Sequence, residues 1–257
     1  MQCAIVVPTY NEAENLPELA RRVTAALPEA HLLIVDDNSP DGTAQIAQEL
    51  FASRPEYSGH RVMLRQGERG LGRAYRDGFR KALADGYERV IQMDADLSHD
   101  PAYLPEMLAL SKDADLVIGS RYCAGGGVES WPMRRVLLSR FAVRYVKVIA
   151  GISIADATAG FRCWTRNALL SLELDSLQSE GYCFQVETAY RACRLRLRTV
   201  EMPIVFTDRR FGRSKISRAV LLESFLMPFR LRSHPWVPTQ AVAADSSETD
   251  ALLKGSR

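Results

Sequence analysis

No stretch of this chain approaches the roughly 18 consecutive apolar residues that a membrane-spanning helix needs. Cysteine is sparse: Cys3, Cys123, Cys163, Cys183 and Cys193 are odd in number, scattered, and without metal-ligand spacing. That excludes a disulfide scaffold and a structural zinc site, and fits buried thiols in a reducing compartment. Histidine is equally thin. His31, His60 and His99 stand alone, each is expected to be a surface or packing residue, and no serine–histidine–acid grouping points to acyl transfer. A strong net charge is missing too; the formal +2 argues by itself neither for nor against nucleic acid, and no such partner is expected. The strand-like run that begins at Cys3 leaves no room for a signal peptide, so the expected site of action is the cytoplasm. What remains is a 257-residue chain with 47% hydrophobic and 25% charged residues, enough for one large globular domain.

Short apolar runs alternate with amphipathic stretches. Cys3–Val7, His31–Val35, Arg61–Arg65, Val90–Met93 and Asp115–Gly119 read as strands. Between them, Leu16, Leu19, Ala20, Val23 and Leu27 form a helical stripe, with Asn15 and Glu18 placed as a capping pair. Ile46–Phe51, Gly70–Leu83 and Pro101–Leu110 are the following helices. Strict alternation predicts an α/β fold with a parallel sheet covered by helices on both faces. Ligands then bind beyond the C-terminal ends of the strands.

Three acidic sets fall at that edge. The first strand ends in Pro8-Thr9-Tyr10-Asn11-Glu12, the second in Asp36-Asp37, and the fourth in Asp94-Ala95-Asp96. Residues i and i+2 of a strand share a face, so Asp94 and Asp96 can grip one hard cation or one ligand. An isolated D-x-D is as well explained as an acidic turn, with Asp100-Pro101 capping the next helix. Carboxylates gathered in one crevice repel, however, and the expectation is that a cation or hydrogen-bonding ligand answers that repulsion. Two other motifs lead elsewhere. Gly70-Leu71-Gly72 lacks the third glycine of a dinucleotide site. Asp37–Gly42 lacks the distal glutamate of a calcium loop and reads as a tight turn.

With these residues in place, the chain resembles the inverting family-two glycosyltransferases of A-type fold, and within them the polyprenol- or dolichol-phosphate mannose synthases. The resemblance spans about residues 2–230 and rests on PTYNE (8–12), DDNSPDGT (36–43), GLGRAYRDGF (70–79), MDADLSHDP (93–101), GSRY (119–122), DATAGFRCW (156–164), GYCFQVE (181–187) and FTDRRFGRSK (206–215). It implies a Rossmann-like, mostly parallel sheet and transfer of mannose from GDP-mannose to a polyprenyl monophosphate with inversion. A UDP-glucose or UDP-N-acetylglucosamine transferase to the same lipid is the alternative, and a non-catalytic nucleotide-sugar-binding subunit the alternative of another class. By the resemblance, Pro8, Tyr10, Glu12, Val35 and Asp37 hold base and ribose, and Asp94, Ala95 and Asp96 meet ribose, diphosphate and metal. Asp96 and Ser98 contact Mg²⁺ or Mn²⁺, while Arg121, Arg209 and Lys215 contact sugar or phosphates. Arg135 and Ser139 take the lipid phosphate. Asp94, Asp96 and Arg121 are thus the implied catalytic residues.

Charge distribution extends this picture. Between residues 130 and 155 stand Arg134, Arg135, Arg140, Arg144 and Lys147 with no acidic residue. Residues 216–232 set Arg218, Arg230 and Arg232 among Leu221, Leu222, Phe225, Leu226 and Phe229. Both segments are expected as amphipathic helices at a membrane interface. A catalytic domain over 1–232 would then end in a disordered polar tail, 233–257. Relatives often carry C-terminal membrane helices where this chain has that tail. The expectation is therefore peripheral attachment to the cytoplasmic face of a membrane, directly or through a membrane-anchoring partner protein.

Overall fold

The structure, a computed structural model, describes residues 2–181, 183–207 and 218–239. In chain order the elements are β1 (Cys3–Thr9), α1 (Leu16–Ala26), β2 (Ala30–Asp36), α2 (Thr43–Ser53), β3 (Arg61–Leu64), α3 (Leu71–Ala84) and β4 (Arg89–Gln92). They continue with α4 (Leu104–Leu110), β5 (Leu116–Ser120), β6 (Gly127–Val128), α5 (Met133–Ala150), β7 (Arg162–Thr165) and α6 (Arg166–Ser171). The last are α7 (Cys183–Arg194), β8 (Thr199–Pro203), β9 (Val205–Phe206) and α8 (Arg218–Ser233).

Seven strands form one sheet in the order β3-β2-β1-β4-β7-β5-β8, and β6 pairs with β9 beside it. The expected fold is present, with one departure from a parallel arrangement in this sheet. β7 lies antiparallel between β4 and β5, with Arg162 opposite both Gln92 and Ile118. Its short run Arg162-Cys163-Trp164-Thr165 carries no periodicity that announces direction. The inner strands β1, β2, β4, β5 and β7 are mostly buried because both faces are covered, while the edge strands β3 and β8 are partly exposed. Along β1, Ala4 and Val6 face the core under α3 and α7, while Cys3, Ile5 and Val7 face the core under α1, α2 and α4. This is the period-two alternation of a strand.

Local details correct the helix-start reading. Asn15 makes no capping hydrogen bond to α1. Its Nδ2 donates instead to Glu12 Oε2 at 2.8 Å. Glu18 pairs with Arg21 and Arg22, because charged partners one turn along the same helix outcompete a reach back to the cap. Residues 233–239, expected to open a disordered tail, make contacts instead. Ser233 ends α8, the Trp236 ring lies 4.6 Å from the Arg191 guanidinium, and the Thr239 N–H donates to Glu173 at 2.6 Å. Residues 240–257 lie outside the described residues.

α3 approaches the sheet closely at Gly78. A Cβ there would stand 2.4 Å from Val6 Cγ1 and 3.0 Å from Val35 Cγ2. Gly78→Ala gains helix propensity of about 1 kcal/mol but overpacks a stiff β-branched wall by about 1–3 kcal/mol. Urea denaturation is expected to show net destabilisation, relieved when Val6→Ala is added.

His60 is buried, accepts the Leu32 N–H at Nδ1 (3.4 Å), and has Nε2 3.0 Å from Thr24 Oγ1. Burial, then the charges of His31 and Arg61, pull its pKa down to about 4. Its neutral form therefore contributes stability that is whole above the unfolded value near 6.5 and is lost as pH falls toward 4. The loss amounts to at most about 3 kcal/mol. Denaturation midpoints measured between pH 7 and 4.5 should fall, and His60→Gln should flatten the slope.

Candidate functional site

β4 ends at Gln92, and the chain turns through Met93–Asp100 at the sheet's C-terminal edge. Leu97 sits in the left-handed region at φ 62°, which curls the turn back on itself. Asp94 is held at two points. Its Oδ1 accepts from Tyr75 Oη of α3 at 3.1 Å, and its N–H donates to His99 Nδ1 at 3.1 Å. Asp96 Oδ1 accepts from the Ser98 N–H at 3.1 Å and from Ser98 Oγ at 2.5 Å. Asp100 does accept from Ala102 at the next helical turn, so the capping half of the simpler explanation is also present.

His99 is no mere packing histidine. It is buried, stacks on Phe161 at 5.1 Å, and meets Phe206 edge-on at 5.5 Å. Burial lowers its pKa against the opposing pull of Asp94 and Asp96. In the neutral ring Nδ1 accepts and Nε2 carries the proton. Tyr75 is pushed well above its ordinary value by burial and then by Asp94, so it stays a hydroxyl donor.

The neighbouring acidic sets are answered by protein groups, which corrects the expectation that a ligand must do so. Asp36 accepts from Thr9 Oγ1 at 2.8 Å and from Ser39 N and Oγ at 2.8 and 2.6 Å. Asp37 pairs with Arg65, whose Nε also reaches Asp77 at 2.7 Å, and it accepts the Gly70 N–H at 2.9 Å. Arg65 was hidden in the sequence because its partners lie 28 and 12 positions away. Pro8 and Val35 stand side by side in the β1–β2 register. The Val35 side chain is buried in the core, so a ligand can meet that residue only at its main chain. The Tyr10 ring lies under Arg69, with 4.5 Å from guanidinium carbon to centroid.

Across the edge, Arg121 follows β5 and clamps Asp156. Nε and Nη2 donate to the carboxylate at 2.8 and 2.9 Å, and Nη2 also reaches Thr158 Oγ1 at 2.8 Å. Burial alone would raise the Asp156 carboxyl, but the Arg121 hydrogen bond and charge outweigh it and hold it below the usual range. The Ala155 and Asp156 N–H groups are themselves held by Glu201 at 2.7 and 2.9 Å. Arg121 is thus first a partner of Asp156, and only its remaining N–H groups face elsewhere. Beyond it, Arg135 and Ser139 lie four apart on α5. Arg135 rests 3.9 Å above the Trp131 ring, and Ser139 Oγ accepts from Tyr122 Oη at 2.6 Å. Arg209 and Lys215 lie outside the described residues.

The structure therefore brings Asp94, Ala95, Asp96 and Ser98 into one turn, with Pro8, Tyr10, Glu12 and Asp37 along the same edge. Sequence reading missed Tyr75, His99, Asp156 and Phe206 as site residues, although each stands inside one of the conspicuous motifs. Among the described residues no three His, Cys, Asp or Glu side chains cluster as a metal cage. Two carboxylates and a hydroxyl in one turn just past the strand, with Asp94 half-buried and Asp96 and Ser98 buried, instead fit a hard cation held by few protein oxygens that shares phosphate oxygens.

Comparison with known proteins agrees with this geometry. The family described as Glycosyl transferase family 2 matches residues 4–170. The chain is 45% identical over 221 residues to polyprenol monophosphomannose synthase of Mycolicibacterium smegmatis, covering 86% of this chain and 83% of the relative. It is 42% identical over 224 residues to undecaprenyl-phosphate mannosyltransferase of Micrococcus luteus, covering 87% and 91%. In fold it is similar to glucosyl-3-phosphoglycerate synthase from Mycobacterium tuberculosis, solved with Mn²⁺, UDP-glucose and phosphoglyceric acid. That similarity has a TM-score of 0.64 at 17% identity, over 89% of this chain and 79% of that one. With its D-x-D turn at the C-terminal edge of a mostly parallel sheet, this chain belongs to glycosyl transferase family 2 and is a glycosyltransferase.

Proposed function

We propose that the enzyme transfers mannose from GDP-mannose to a polyprenyl monophosphate, inverting the anomeric carbon. The observation that carries this reading is the contact path that joins an acidic turn suited to a metal-bound diphosphate to a basic and hydroxyl pair on a helix whose outer surface mixes exposed apolar and basic residues. The two relatives named for mannosyl transfer and for polyprenol or undecaprenyl phosphate support the sugar and the acceptor class. Pro8, Tyr10, Glu12, Val35 and Asp37 would hold base and ribose. Asp94, Ala95 and Asp96 would meet the ribose and diphosphate, with Asp96 and Ser98 as contacts for Mg²⁺ or Mn²⁺. A divalent cation supplies Lewis-acid stabilisation of charge on the departing diphosphate.

The chain's own contribution is positioning and charge. A phosphate monoester has a second pKa of about 6, so near neutral pH it is mostly dianionic and needs no general base. His99 accordingly serves geometry: its Nδ1 is occupied by the Asp94 N–H. Arg135 would donate to the acceptor phosphate with Ser139, screening repulsion between the two anions and orienting the attacking oxygen. Arg121, already aligned by Asp156, and Arg209 and Lys215 would face the sugar and departing phosphates.

α5 and α8 pack together, with Tyr145 stacked on Phe225 at 5.4 Å and donating to the Phe225 carbonyl at 2.7 Å. Leu138, Phe141 and Phe229 remain 68%, 69% and 46% exposed, among exposed Arg134, Arg140, Arg144 and Lys147. No described helix is long and apolar enough to cross a membrane. We read this surface as lying on the membrane that holds the acceptor, at its cytoplasmic face, with a membrane partner protein as a further means of anchoring.

Labelled GDP-mannose, Mg²⁺ and polyprenyl phosphate in vesicles should yield label extractable as mannosyl-phosphoryl-polyprenol. Asp96→Ala should reduce that rate by roughly 10²–10³-fold or more. Use of UDP-glucose or UDP-N-acetylglucosamine with GDP-mannose ignored would overturn the donor. Co-sedimentation with anionic vesicles should weaken in Leu138→Glu/Phe141→Glu while unassisted folding persists; unchanged binding would remove the α5 surface from the reading.

A further inference from the structure

Arg135 does not reach the site on its own. Its guanidinium lies 3.9 Å above the Trp131 ring, just ahead of α5. Trp131 stands edge-to-face on Phe206, with ring centroids 5.6 Å apart at 77°. Phe206 in turn meets His99 at 5.5 Å and 76°, and the Arg121 guanidinium lies 5.5 Å from its ring. His99 holds the Asp94 main chain. Phe206 is fixed from behind, because β9 pairs with β6 and its carbonyl accepts the Glu129 N–H at 2.9 Å. Four side chains thus make an unbroken contact path from the D-x-D turn to the arginine of α5.

We propose that Trp131 and Phe206 are positioning residues that set where Arg135 stands relative to the donor turn, and so where the acceptor phosphate is presented. The inference rests on the reading of Arg135 as an acceptor-phosphate contact. Its physical basis is twofold. A guanidinium over an indole face is held there by the ring's quadrupole. A displacement of about 1 Å between reacting groups lowers rates by about 10²-fold, so a rigid spacer between two anion sites has direct kinetic weight. Stability gives no reason for an indole here. Trp131 Nε1 is buried without a hydrogen-bond partner among the described residues, a burden that a phenyl ring would lift. The broader face under a guanidinium is what the indole adds.

The full chain is assayed with GDP-mannose and polyprenyl phosphate, and its affinity for GDP with Mg²⁺ is measured by calorimetry. Trp131→Phe should keep or raise the melting temperature yet raise the acceptor KM roughly threefold, and Trp131→Leu roughly tenfold. GDP affinity and donor KM should stay within about twofold in both. Phe206→Leu should reproduce the rise in acceptor KM, and Trp131→Leu/Phe206→Leu should fall short of the product of the single effects, since both act through Arg135. If Arg135→Ala raises the acceptor KM while the Trp131 and Phe206 variants leave it unchanged, the positioning role is wrong and the acceptor reading stands. If Arg135→Ala leaves it unchanged, both fall.

Discussion

Because β7 runs antiparallel between β4 and β5, the segment that precedes it, residues 156–161, is delivered to the same edge as the C-terminal ends of those two strands. A parallel strand in that slot would have left Asp156, Thr158 and Phe161 at the far end of the sheet. The reversal is held from inside by Arg162, which is buried and donates to Ala157 O at 2.9 Å, Gln185 O at 3.0 Å and Thr188 Oγ1 at 2.8 Å. Burial lowers its pKa to about 10, with the Asp156 charge pulling the other way, so it remains a cation at neutral pH. On this reversal depend the Arg121–Asp156 clamp and the Phe161 platform beneath His99.

The edge is an arrangement of opposed charges built before any ligand arrives. Arg65 answers Asp37 and Asp77, and Arg121 answers Asp156. Buried pairs of this kind contribute little net stability, because desolvation offsets most of the attraction. Their effect is directional: each leaves its partner in one orientation. The D-x-D turn is managed with neutral groups instead, Tyr75 and Ser98 as donors and His99 as the acceptor of the Asp94 N–H. Tyr75, His99 and Ser98 orient Asp94 and Asp96 without cancelling their charge. That difference separates carboxylates that shape the edge from those proposed to act on a metal-bound diphosphate.

The same economy governs the helices. α3 comes close enough to the sheet that only glycine fits at position 78 without displacement, and this closeness is what lets Tyr75 reach Asp94. α5 and α8 satisfy each other on one side and leave apolar residues exposed on another. A surface of that composition, beside Arg135, is suited to an acceptor that is itself amphipathic.

The chain's local patterns alone determined the strand–helix alternation, the C-terminal placement of Asp94 and Asp96, and the motif resemblance, since all of these depend on neighbours within a few positions. Basic charges interleaved with apolar residues also located α5 and α8. The capping-pair motif misjudged Asn15 and Glu18, where competing partners lay equally near. What only the tertiary structure decided was how charges and rings from distant segments pair. Arg65 finds Asp37 across 28 positions, Arg121 finds Asp156 across 35, and Tyr75 finds Asp94 across 19. The direction of β7 was likewise invisible, because so short a run as Arg162-Cys163-Trp164-Thr165 reads the same both ways. Side-chain pairing across a sheet edge is set by register and strand order, and those are properties of the packed molecule.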